Sequence, residues 1–92
     1  MPIFMIERRY AEQLDADAAR VADINRINDD EGIRWLSSFL SLDKRKTFCL
    51  YESPNAEAIH RAAERAGLPS DVVVELAGQL APDGAFTPMG AG

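Results

Sequence analysis

Apolar residues recur along this chain with two periods, one of two and one of three to four, and the switches between them mark out six elements. Ile3, Phe4, Met5 and Ile6 form an unbroken apolar run that ends in Glu7, Arg8 and Arg9, so residues 2–9 read as a strand covered on both faces. After a connector, Asp15 is placed to cap a helix over 15–30. Its Ala18, Val21, Ile24 and Ile27 keep helical spacing, while Arg20, Asp23 and Arg26 face water. Gly32 ends it. Residues 33–42 and 46–52 read as the second and third strands of a hairpin with its loop at 43–45.

The third strand leads into the best-defined helix of the sequence. Thr47, Cys49 and Tyr51 alternate with Phe48, Leu50 and Glu52. Ser53 is then expected as N-cap and Pro54 at the first helical position, where its missing N–H costs nothing. Ala56, Ile59, Ala63 and Ala66 make a thin apolar stripe. Gly67 supplies a left-handed residue, Leu68 can fold back onto Ala63, and Pro69 blocks continuation. Residues 72–76 give a fourth strand, apolar except for Glu75. Beyond Gly78 the chain is rich in glycine and proline without a period, which divides it into a domain over 1–79 and a flexible or partner-packing tail over 80–92.

Strand, helix, strand, strand, helix, strand is the ferredoxin-like order, an α+β fold with both helices on one face of a four-stranded antiparallel sheet. A three-residue loop sets Leu42 opposite Lys46, Phe39 opposite Cys49 and Ser37 opposite Tyr51. In that register Leu36, Ser38, Leu40, Phe48 and Leu50 meet the helices. Trp35, Ser37, Phe39, Ser41, Thr47, Cys49 and Tyr51 fall on the second face. A monomer seldom leaves such a surface in water, so a homodimer closing sheet on sheet into a dimeric α+β barrel is expected.

Composition removes several function classes. Ninety-two residues make one small domain, and a net charge of -5 without a basic cluster argues against nucleic acid. One cysteine excludes an internal disulfide and one histidine a His-rich metal centre within one chain. No apolar run approaches a membrane span and no signal pattern opens the chain, so a cytoplasmic protein is expected. No phosphate loop, CxxC, HExxH or GxSxG occurs.

At WLSSFLS (35–41), KTFCLYESPNAEAI (46–59), AGLPSDVV (66–73) and the opening FMIERRY, the sequence resembles a family of small bacterial ferredoxin-like proteins. That family is known as a domain of unknown function, and one member is described as nickel-binding. The resemblance spans roughly residues 3–77 and implies the ferredoxin-like fold, a homodimer and nickel as a candidate ligand. Similar members commonly carry His in a W-x-H-S segment where this chain has Ser37, which leaves Cys49 as the soft donor of that face, with Tyr51 and Glu7 near it.

The candidate residues follow from these faces. Glu7, Arg8, Trp35, Ser37, Cys49 and Tyr51 are the ligand-binding candidates, Arg8 being able to hold a small acid. Cys49 reads as a ligand, a nucleophile or a small buried hydrophobe. His60 and Glu64, with Glu57, lie on one helix face where they could clasp a divalent metal or pair with Arg61 and Arg65. Asp29, Asp30 and Glu31 read as a solvated helix end or a seat for a hard cation. The leading expectation is a dimer that binds a metal ion or small ligand without evident catalysis. The alternatives are a cofactor-free barrel enzyme acting on a small apolar or aromatic molecule, and a structural or regulatory partner protein.

Overall fold

The computed structural model describes residues 1–15 and 17–90. The most apolar run of the chain becomes strand β1 (Ile3–Arg9), which lies inside a four-stranded sheet. Helix α1 (Ala18–Asp30), strands β2 (Arg34–Leu40) and β3 (Lys46–Glu52), helix α2 (Ala56–Ala66) and strand β4 (Val72–Glu75) follow. The sheet order is β2-β3-β1-β4, with every neighbouring pair antiparallel. Phe4 and Ile6 of β1 and Cys49 and Tyr51 of β3 point to one face, where Ile24 and Ile27 of α1 and Ala58, Ile59, Ala62 and Ala66 of α2 cover them. Both helices therefore lie on the same side of the sheet. The methyl-lined stripe of α2 allows the close approach expected of it.

The helix ends follow the sequence in kind more than in position. Asp17, not Asp15, caps α1, its side chain accepting from the Arg20 backbone N–H at 2.8 Å. Asn55, not Ser53, caps α2 and accepts from Ala58 N–H at 2.9 Å. Ser53 instead is fully buried and donates to the Asn55 carbonyl at 2.6 Å, shaping the turn that brings Asn55 to the cap. Gly67 stops α2 as expected: it sits at φ 69°, its N–H reaches Glu64 and the Leu68 N–H reaches Ala63. Gly32 closes α1 in the same way at φ 71° and turns Ile33 into the core.

The β2–β3 register departs from the expected one by a residue. Leu40 faces Thr47, Phe39 faces Phe48 and Ser38 faces Cys49; an extra residue, Leu36, then intervenes, so that Trp35 faces Tyr51. The loop is longer by one residue, because the Ser41 N–H bonds the Lys46 carbonyl and Lys44 takes a positive φ of 62°. The faces are accordingly reassigned. Thr47, Cys49 and Tyr51 lie under the helices, joined by Trp35 and Ser38, whereas Ser37, Phe39, Phe48 and Leu50 take the open face. The expected apolar second face exists, but its members are Phe39, Phe48, Leu50, Met5, Val72 and Val74 and not Trp35 or Tyr51. Phe39 is 62% exposed and Val74 48%.

The acidic end of α1 is paired, not bare. Glu31 meets Arg61 at 3.1 Å and Arg65 at 3.0 Å, and Asp30 meets Arg65 at 3.1 Å, tying α1 to α2. These arginines are thus spoken for by α1 and not by Glu57 or Glu64. The C-terminal stretch carries a small hairpin, β5 (Gly78–Leu80) with β6 (Phe86–Pro88), an element its aperiodic composition did not suggest. Among the described residues no helix is long and apolar enough to cross a membrane.

Candidate functional site

Between the helix-side face of the sheet and α1 lies a cavity of about 190 Å³. Val21 and Ile24 of α1, with Leu14 before it and Leu68 after α2, form its apolar roof. Trp35, Leu40, Cys49 and Tyr51 form the floor. The bulge at Leu36 is what makes this floor: without the extra residue, Trp35 and Ser38 would project to opposite faces instead of sharing one.

A hydrogen-bonded chain crosses the floor. Trp35 Nε1 donates to Ser38 Oγ at 2.8 Å, Ser38 Oγ donates to Cys49 Sγ at 2.9 Å, and the thiol lies 3.5 Å from Thr47 Oγ1, which in turn is 2.8 Å from the Tyr10 hydroxyl. The polar atoms of this chain are therefore matched to one another, from the exposed Ser38 at the rim to the buried Cys49 and Thr47. Burial pushes the hydroxyls of Tyr10 and Tyr51 above the ordinary phenol range, against the pull of the Thr47 bond on Tyr10 and of the Arg8 guanidinium on Tyr51. Both stay neutral near pH 7.

Two cations border the same space. Arg8 is 3% exposed, stands 5.7 Å from the Tyr51 ring centre and donates through Nη1 to the Pro69 carbonyl at 2.6 Å. Arg20 reaches from α1 to the Ala66 carbonyl at 2.7 Å, satisfying an end of α2. Neither pairs with a carboxylate among the described residues, and the cavity lining contains no Asp, Glu or His.

Of the residues singled out from sequence, Arg8, Trp35, Cys49 and Tyr51 meet here. Glu7 and Ser37 do not: both belong to the open face, Glu7 opposite Phe48 and beside Arg9 at 2.5 Å, Ser37 opposite Leu50. Cys49 is buried under the helices, away from His60 and Glu64, which are exposed on α2. His60 Nδ1 is 2.8 Å from Ser70 Oγ. Among the described residues no three His, Cys, Asp or Glu side chains converge on a point. The donor set also does not fit nickel at Cys49, because its neighbours are hydroxyls and two guanidiniums that repel a divalent cation.

Arg20, Tyr10, Ser38 and Thr47 escaped the sequence reading as site residues. Arg20 was open to detection, since it precedes Ile24 by four and so shares the buried stripe of α1 instead of facing water. Ser38 was not, because its face depends on the bulge.

The profile of the family described as "Nickel responsive protein SCO4226-like" matches residues 4–76. A crystal structure of SCO4226 from Streptomyces coelicolor A3(2) superposes with a TM-score of 0.63 at 24% identity, over 80% of this chain and 94% of that one. No curated protein matches the chain. The residues matched by the profile run from β1 to the end of β4 and include both helices, and the chain belongs to the SCO4226-like family.

Proposed function

We propose that this chain is a ferredoxin-like, homodimeric small-molecule-binding protein of the cytoplasm, without catalysis, whose site is the cavity between sheet and α1. The observation that carries the reading is the cavity itself. Its floor is an aromatic and thiol surface with a satisfied polar rail, and its volume suits a single-ring molecule: an apolar cavity of about 150 Å³ already admits benzene. The dimer is supported by the apolar open face, where Phe39 and Val74 stand in water on a single chain. Two such faces stacked about 10 Å apart would dry one another. The described part of the expected tail, residues 80–90 with the hairpin strand β6, would then pack on the partner; residues 91–92 lie outside the described residues.

The test is an NMR titration of the full chain with phenol, a neutral single-ring aromatic probe. Saturable shifts confined to Trp35, Cys49, Tyr51 and Ile24 are expected. Shifts confined to the open face, or none at millimolar probe, would sink the proposal.

A further inference from the structure

We infer that the occupant of this cavity is a small organic carboxylate, its acid group on Arg8 and its ring or short chain against Trp35 and Tyr51; this rests on the cavity being the binding site. Arg8 is almost wholly buried, yet its partners among the described residues, the Pro69 carbonyl and the side chain of Tyr51, are uncharged, and no carboxylate pairs with it. A guanidinium has five N–H donors and cannot shed its charge, so burying it without an anion is costly, and a bound anion would offset that cost. The second cation on the lining, Arg20, has the same sign and likewise no acidic partner among the described residues. The two positive charges belong to a chain with a net charge of -5, so the cavity concentrates charge opposite to that of the protein as a whole.

The chemistry of the anion follows from shape and charge. The planar guanidinium fork matches a carboxylate in two parallel bonds. A phosphate dianion would bring more charge into an apolar space than Arg8 could offset at close range, and its desolvation would be harder to repay. With about 190 Å³ available, one ring with one carboxylate fills the space and a fused or two-ring acid does not. Arg8 thereby fixes the orientation, with the ring under Val21 and Ile24 and beside the Trp35 indole.

Benzoate and benzamide differ in charge and little in shape, so titrating the full native chain with each separates the inference from the reading beneath it. Benzoate is expected to bind in the cavity roughly tenfold or more tightly than benzamide, as a charge-assisted bond to a buried guanidinium implies. Arg8→Met should bring the two affinities together, and intermolecular nuclear Overhauser contacts from the benzoate ring to Trp35 and Tyr51 in the native chain give a readout that needs no variant. Equal affinity of the two probes at the cavity would overturn the carboxylate and leave the cavity standing. Benzoate seated at the exposed Lys44 to Lys46 loop would overturn it as well. Failure of benzoate, benzamide and phenol alike would remove both readings.

Discussion

The indole of Trp35 lies nearly parallel to the ring of Tyr51, centroids 6.4 Å apart and planes 9° from parallel, on the helix side of the sheet. The two residues are direct cross-strand partners, an arrangement that aromatic pairs favour. Arg8 approaches the same Tyr51 ring from the neighbouring strand, so Tyr51 joins the apolar and the charged parts of the cavity.

The two faces of the sheet should respond differently to substitution. Ile6→Ala, at a side chain with no exposure, should cost about 2–5 kcal/mol of stability in denaturant titration. Phe39→Glu should leave the secondary structure intact and convert a dimer into a monomer at micromolar concentration in sedimentation velocity. A native chain that already sediments as a monomer would refute the dimer.

The caps separate two turn chemistries that look alike in sequence. Asn55→Ala removes the bond to the Ala58 N–H and should cost about 1 kcal/mol. Gly67→Ala forces a side chain into φ 69° and should cost about 1–2 kcal/mol, although open space surrounds the added methyl. Equal melting temperatures for native protein and Gly67→Ala would contradict the left-handed stop.

Stability should fall at both ends of the pH scale for separate reasons. Hydrogen bonds from Arg61 and Arg65 hold the Glu31 carboxyl below its ordinary 4.5. That contribution is present above the unfolded value and is lost as pH falls through the lowered one, so Glu31→Gln should flatten the acid limb. Tyr51 and Tyr10 are raised above 10.0, chiefly by burial. Their neutral forms fit the fold fully below pH 10, and stability declines as pH rises beyond it while the unfolded phenols ionise first. Phenolate absorbance should appear together with unfolding, and early titration of both tyrosines in the folded chain would exclude this.

Nickel added to the native chain should give no saturable heat, because Cys49 shares its cavity with the two cations Arg8 and Arg20 and no three donors converge among the described residues. Ser37→His, on the open face, should gain heat if dimerisation brings two imidazoles together. Tight nickel binding by the native chain that survives Cys49→Ser would show a site formed between subunits.

Part of the site was readable before folding. Arg8, Trp35, Cys49 and Tyr51 stand out by type and position, and the alternation of β3 correctly put Cys49 with Tyr51. Which way they faced was not readable, because a single inserted residue in a strand exchanges the two faces. Ser37 was grouped with them by that one-residue uncertainty, and Glu7 as one of the charges at the end of β1. The cap at Asn55 was hidden by Ser53, whose side chain has the same acceptor one turn of argument earlier but bonds the turn itself.

Residue order alone was enough for the first four strands and the two helices, the stops at Gly32 and Gly67, and the exclusion of an internal disulfide, since periodicity, glycine conformation and composition are local properties. Only the tertiary structure decided that Leu36 is an extra residue in β2, that Arg20 reaches α2, and that Arg8 is buried beside a cavity without an acid. Those three depend on pairing and packing between segments far apart in the chain, and an isolated strand or helix carries no record of which neighbour it will meet.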